Sequence, residues 1–213
     1  MAKSYKVKEI YYTLQGEGAH AGRAAVFCRF TGCNLWSGRE EDRKKAICQF
    51  CDTDFVGVDG KNGGRYTAQA LAEQVKAQWQ GAGQPYVVCT GGEPLLQLDE
   101  EMIEAFKAEG LEVAIETNGT VEAPVGLDWI CMSPKANTDI VLTKGNELKL
   151  IFPQTNAEPH KYEHLDFEHF YLQPMDAMNE AITQANIKAT LQFCLDNPQW
   201  KMSVQMHKVL GID

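Results

Sequence analysis

The order of segments predicts an α/β fold: an incomplete, abbreviated (β/α) barrel on a mostly parallel sheet. Three observations carry this. Apolar strand-like runs mostly alternate with polar loops and amphipathic helical stretches, the order that gives parallel strands with covering helices. Several of those runs end directly in a short polar or glycine-rich motif, and in such folds ligands bind at the carboxyl ends of strands. The chain has 213 residues with few convincing crossover helices, whereas a full eightfold barrel takes about 250 residues. No linker, repeat or low-complexity segment interrupts it, so residues 1–213 read as one domain with a large loop at 31–55.

Lys6 to Tyr12 alternates as a first strand, and Thr13 to Gly18 (T-L-Q-G-E-G) follows as a polar turn. Ala24 to Phe30 (A-A-V-F-C-R-F) is a second strand, buried on both faces except at Arg29. A cysteine-bearing loop then closes at Phe55-Val56-Gly57. Thr67 caps a helix running to about Gln80, because Leu71, Val75 and Trp79 recur every four residues, and Gly81-Ala82-Gly83 ends it. Pro85 to Cys89 is a buried strand leading into Thr90-Gly91-Gly92-Glu93-Pro94. Asp99 caps a second helix with Met102, Ile103 and Phe106 inward, ended by Gly110. Leu111–Ile115, Asp128–Met132, Glu147–Phe152 and His169–Leu172 continue the strands, Ala177–Leu195 is the last long helix, and Lys201–His207 the final strand.

A formal charge of −9 argues against broad binding to phosphate backbones, hence no nucleic acid. No apolar run approaches the ~20 residues that cross a bilayer, so no membrane partner is expected. The N-terminus carries charge without an apolar core, which predicts no secretory signal and a cytoplasmic location. Seven cysteines, an odd and unevenly spaced set, read as reduced thiols. Cys28, Cys89 and Cys131 lie inside apolar runs and read as small buried hydrophobes, and Cys194 as structural.

Cys33, Cys48 and Cys51 are different, since they share one loop as C-x14-C-x2-C. Three thiolates without an obvious fourth leave a metal centre with an open position, as a reactive centre needs. Spacing alone leaves zinc open, with Asp52, Asp54 or His20 as a fourth ligand. Arg29 sits alone in an apolar strand and needs a partner, either an internal carboxylate or a substrate carboxylate. Gly91-Gly92 is either a tight strand-to-helix turn or a close backbone approach to a ligand. The mixed run Arg39–Lys45 reads as a solvated loop face, and so do His160, His164 and His169.

G-C-N-L, then C-Q-F-C-D-T with Phe50 before the third cysteine, then T-G-G-E-P at 90–94 resemble the motifs of the radical S-adenosylmethionine (SAM) enzymes. The usual cluster pattern there is C-x3-C-x2-C, and the first spacing here is expanded to 14. The resemblance narrows to the 7-carboxy-7-deazaguanine synthases through Y-Y-T-L-Q-G-E-G at 11–18, E-T-N-G at 116–119, S-P-K at 133–135, Q-P at 173–174 and Q-M-H-K at 205–208.

That resemblance implies a lyase of queuosine and 7-deazapurine biosynthesis that turns 6-carboxy-5,6,7,8-tetrahydropterin into 7-carboxy-7-deazaguanine with loss of ammonia. It implies a [4Fe–4S] cluster on Cys33, Cys48 and Cys51, with one iron left for SAM. Phe50, Cys51, Asp52, Gly92, Glu93, Glu116, Asn118, Ser133, Pro134, Lys135, Gln173, Pro174, Met175 and Asp176 are the implied SAM contacts, although Asn118-Gly119 is also an ordinary turn dipeptide. Thr53 is the implied Mg²⁺ ligand, with Asp54 as a carboxylate alternative. Leu14, Gln15, Gly16, Glu17, Arg29, Thr90 and His207 are the implied substrate contacts, and a satisfied core histidine is the other reading of His207. No residue is expected to act as a separate acid or base, the terminal carboxylate of Asp213 is a further substrate contact left open, and a flavodoxin- or ferredoxin-like reductant and a homodimer are implied. Another radical SAM enzyme, such as a glycyl-radical activase, and a non-enzymatic zinc-binding module are the competing readings.

Overall fold

The computed structural model describes residues 3–212, so the expectation for Asp213 lies outside them. Its sheet is built from β1 (Tyr5–Leu14), β2 (Ala24–Phe30), β3 (Gly64–Tyr66), β4 (Tyr86–Gly91), β5 (Glu112–Thr117), β6 (Trp129–Met132), β7 (Lys144–Phe152), β8 (Asp166–Pro174) and β9 (Trp200–Met202). The spatial order is β3-β1-β2-β4-β5-β6-β7-β8-β9. From β2 onward every neighbouring pair is parallel, while β1 runs antiparallel to both β2 and β3. With β3 and β9 at the two edges the sheet is open, which agrees with an incomplete barrel.

Helices α1 (Ala68–Gln78) and α2 (Glu100–Ala108) are made locally and packed globally. Thr67 accepts from the Ala70 N–H at 3.3 Å and Asp99 from the Met102 N–H at 3.0 Å, which satisfies N-terminal donors that no helical carbonyl can reach. Leu71, Val75, Met102, Ile103 and Phe106 then bury against Val26, Val87 and Val113 in the larger core. Helix α3 (Glu180–Asp196) follows another rule, because its buried residues are Asn186 and Thr190. Asn186 donates to the Met175 carbonyl at 2.8 Å and Thr190 to the Asn186 carbonyl at 2.7 Å.

Several boundaries differ from the sequence reading. Helix α1 stops at Gln78, and Trp79 leaves it to pack edge-on against Tyr12, ring centroids 5.3 Å apart. Strand β3 has no sequence signal, because G-R-Y starts within the pair Gly63-Gly64 and is too short to show alternation. Strands β7 and β8 begin earlier, and α3 starts at Glu180 behind the cap Asn179. The largest correction concerns the last strand. Only Trp200–Met202 joins the sheet, and Met206–Leu210 forms a short helix, α4. The chain leaves the sheet there because the Met206 N–H binds the Gly16 carbonyl at 2.9 Å, a tertiary contact that outweighs local strand preference.

Cys28, Cys89 and Cys131 are buried in the sheet, and desolvation pushes all three thiols up, so they behave as inert hydrophobes. Cys194 is half-buried. Among the described residues no helix is long and apolar enough to cross a membrane.

Candidate active site

The parallel strands open at their carboxyl ends onto one cavity of about 460 Å³. Leu14 reaches it from the end of β1, Gln15, Gly16 and Glu17 from the turn that follows, Arg29 from β2, Thr90 from β4 and Glu116 from β5. Cys48, Phe50, Cys51, Asp52 and Thr53 approach from the cysteine loop, Lys135 from the loop after β6, and Gln173, Pro174, Met175 and Asp176 from β8. His207 comes from the first turn of α4 rather than from a strand. Residues scattered over the chain therefore share one wall.

The rim of this cavity is the cysteine loop. Cys48 donates to Cys51, so the Cys51 thiol is held below its usual range, helped by the Thr53 N–H and hydroxyl, while the Cys48 thiol is pushed up. Burial raises the Cys33 thiol, whose sulfur accepts from the Leu35 N–H at 3.4 Å. Gly92 is needed beside it, because a Cβ there would lie 2.2 Å from the Gly32 carbonyl oxygen and 2.7 Å from the Cys33 Cβ. The inserted segment is not merely a solvated face, which corrects the reading of Arg39–Lys45. It holds a six-residue 3₁₀ helix, Glu40–Lys45. From it Arg43 donates to the carbonyls of Gln49 at 2.9 Å and Cys51 at 3.0 Å, its guanidinium lying 4.1 Å from the Trp36 ring centroid.

The floor is a buried polar network that the sequence reading met only in part. Lys149, 4% exposed on β7, places its Nζ 2.6 Å from Glu17 and 3.4 Å from Glu116. Gln173 and Gln205 donate to the other Glu17 oxygen at 2.9 and 3.0 Å. Burial works to raise the Glu17 carboxyl, but the charge and hydrogen bond of Lys149, with the two glutamines, outweigh it and hold the group at about 2. Gln15 donates to Glu116 at 3.0 Å, and Thr90 reaches the second Glu116 oxygen at 3.4 Å. Lys149 and Glu147 were overlooked, yet the alternation E-L-K-L inside an apolar run places both charges on one strand face. Gly16 completes this side, since a Cβ there would lie 2.5 Å from His207 Nδ1.

Other predicted residues do different work. Glu93 is fully buried and accepts from the N–H groups of Leu95 and Asn118 and the Thr117 hydroxyl, at 3.0, 2.7 and 2.8 Å. It welds the ends of β4 and β5, and burial raises its carboxyl. Asn118 binds Asn34 of the cysteine loop at 3.0 Å and caps Thr120. Ser133 accepts from Lys135 at 2.8 Å, and neither Ser133 nor Pro134 lines the cavity. Arg29 already has an internal carboxylate: its Nε donates to Glu9 at 2.8 Å and an Nη to the Tyr11 hydroxyl at 2.9 Å. Asp54 caps the Val56 N–H and pairs with Lys8 at 2.9 Å, so its carboxylate is engaged. Lys208 of α4 bridges Asp52 and Asp176 at 2.9 and 2.8 Å across the mouth. His160 and His164 are exposed, as expected of solvated residues, whereas His169 lies in β8 stacked on Trp129 at 5.9 Å.

Comparison with known proteins now adds to the geometry. Residues 44–148 match the Radical SAM superfamily. The 7-carboxy-7-deazaguanine synthase of Caulobacter vibrioides is 60% identical over 211 residues, 98% of this chain and 99% of that protein. The chain belongs to the 7-carboxy-7-deazaguanine synthase family. The Bradyrhizobium diazoefficiens member is 59% identical over the same shares of both chains. A crystal structure of QueE from Escherichia coli superposes with a TM-score of 0.72 at 23% identity, covering 96% of this chain and 95% of that one, a likeness of fold.

Membership in this radical SAM family implies a [4Fe–4S] cluster and SAM, and the donor set fits them. Among the described residues no three Cys, His, Asp or Glu side chains converge as the ligands of one ion do. Cys33, Cys48 and Cys51 nevertheless lie near enough that each feels another's charge. Three soft thiols spread around a rim suit an iron–sulfur cluster, which is wider than a single zinc ion. Lys135 adds a cation beside them, its amine pulled down by desolvation and supported by Cys48 and Cys51.

Proposed function

We propose that this chain converts 6-carboxy-5,6,7,8-tetrahydropterin to 7-carboxy-7-deazaguanine with loss of ammonia. The observation that carries this reading is the cavity in which Cys48 and Cys51, with Cys33 beside them in the same loop, stand across from a floor of Glu17, Gln15 and Glu116. An amide beside two carboxylates matches the donor and acceptor edge of an aminopyrimidinone. Substrate minus ammonia has the composition of the product, so the conversion is redox-neutral. Cluster and SAM, when bound, supply the one-electron chemistry that removes a hydrogen from the pterin and returns it.

The protein's part is to hold, orient and exclude water. Cys33, Cys48 and Cys51 hold the cluster. Phe50, Asp52, Gly92, Glu116, Lys135 and the β8 segment Gln173–Asp176 surround SAM, and Glu93, Asn118, Ser133 and Pro134 set the strand ends on which those contacts stand. Thr53 offers its hydroxyl to Mg²⁺, which favours oxygen ligands and keeps several waters or substrate oxygens. Thr53 is favoured over Asp54 because Asp54 is already paired with Lys8 at 2.9 Å. Arg29, steadied by Glu9 and Tyr11, presents its guanidinium to the substrate carboxylate, and His207 closes the wall opposite. The whole chain acts as one domain, cytoplasmic, as a homodimer, and takes electrons from a flavodoxin- or ferredoxin-like protein.

The test is an anaerobic assay of reconstituted protein with SAM, reductant, Mg²⁺ and the tetrahydropterin. The expected result is 7-carboxy-7-deazaguanine in multiple turnovers, stimulated by Mg²⁺. Fully cluster-loaded protein that makes no deazaguanine sinks the reading.

A further inference from the structure

Lys149 is a cation buried in the middle of β7, and it does not itself line the cavity. It reaches the cavity through Glu17. Of roughly four acceptor positions on a carboxylate, Gln173 and Gln205 fill those on Glu17 Oε1, and Lys149 fills one on Oε2. One position on Oε2 is left, on a residue that lines the cavity wall. The charged and titratable groups facing Lys149 are Glu17, Glu116 on β5, Cys131 on β6, Glu147 on its own strand and Lys135 at the end of β6. Glu147 is engaged with the Ala19 N–H at 2.9 Å, so Glu17 and Glu116 are the carboxylates left to pair with Lys149.

We propose that Lys149 is a positioning residue for substrate recognition, fixing Glu17 as an anion whose remaining lone pair accepts an N–H of the pterin ring. The inference rests on the proposed reaction and assigns Lys149 no part in the chemistry. Without its cation, Glu17 faces desolvation with only two neutral amides to oppose it, and neutralises at higher pH.

The experiment compares wild-type holoenzyme with Lys149→Met, Lys149→Arg, Glu17→Gln and the Glu17→Gln/Lys149→Met double variant, checking iron and sulfide content in each. Steady-state kinetics from pH 6 to 8 and equilibrium binding of fluorescent 6-carboxypterin are the readouts. Lys149→Met should raise the pterin KM by about tenfold, the effect of losing one charge-assisted hydrogen bond, with a smaller change in kcat. It should also add an acid limb to kcat/KM that the wild type lacks. Lys149→Arg should restore most of the loss, and the double variant should be no worse than Glu17→Gln alone. A Lys149→Met enzyme with wild-type KM and pH profile overturns this inference while the reaction stands. Should that variant lose its cluster, equal 6-carboxypterin affinity in wild type and Lys149→Arg/Glu17→Gln carriers, with Glu17→Gln alone also unchanged, overturns it too. Wild type that neither turns over the tetrahydropterin nor binds 6-carboxypterin overturns both the reaction and this inference.

Discussion

The rim and the floor of the same cavity are built on opposite principles. The rim is a half-exposed loop, steadied by Arg43 on two carbonyls and by a Trp36–Phe55 ring contact at 5.7 Å. The floor is anchored to strands and buried: Glu17, in the turn after β1, is bonded to Lys149 of β7, Gln173 of β8 and Gln205 before α4. Groups tied to packed strands by several buried hydrogen bonds keep their geometry without a ligand, whereas a loop of thiols gains its order from what it binds. In this account the floor reads the substrate in advance and the rim is completed by cluster and SAM.

The sharpest way to break that division is Cys51→Ala. It should abolish turnover, a loss of at least about 10³-fold because the reactive centre has no other source, and iron analysis should show the cluster gone. Binding of 6-carboxypterin should persist, and its loss would mean rim and floor are one unit.

Gly16→Ala attacks the floor instead. The new Cβ collides with His207, whose Nδ1 lies 2.5 Å from that position, so α4 must lift. The expected outcome is a rise in pterin KM of about tenfold with normal iron content, on the scale of one lost polar contact and local repacking.

Arg43→Met tests the rim more gently. Two carbonyl bonds from a charged, part-buried donor are lost. Cluster loss in air should quicken a few-fold, followed at the visible absorbance, with the activity per cluster nearly unchanged.

The smallest effect concerns pH. Glu17 sits at about 2 when folded against an ordinary 4.5, so its ion pair contributes stability fully above about pH 4.5 and loses it as pH falls towards 2. The difference in urea midpoint between wild type and Glu17→Gln should therefore be largest near neutrality and shrink through that window.

Much of this was legible because it is local. Thr67 and Asp99 announce their helices, and strand-end motifs such as T-G-G-E-P lie where a parallel sheet must present them. What stayed hidden depends on distant partners. Arg29 could not be assigned to Glu9, because only the antiparallel register sets the two opposite each other. Arg43 lies in a charge run that reads as solvated until the loop folds back on Cys51. Lys201–His207 reads as a final strand, and the Gly16 carbonyl captures the chain at Met206 instead. Lys149 is different, since E-L-K-L sets Glu147 and Lys149 on one strand face and the two leucines on the other, a signal the strand assignment alone does not use.

The most direct measurement of the central claim pairs the two halves of the cavity in one experiment. Anaerobic, cluster-loaded wild type is given SAM, reductant and 6-carboxy-5,6,7,8-tetrahydropterin, alongside Lys149→Met with equal iron and sulfide. The account predicts 7-carboxy-7-deazaguanine from the wild type, and from Lys149→Met the same product only when the pterin is raised about tenfold. Equal product from both at low pterin, or none from the loaded wild type, would contradict it.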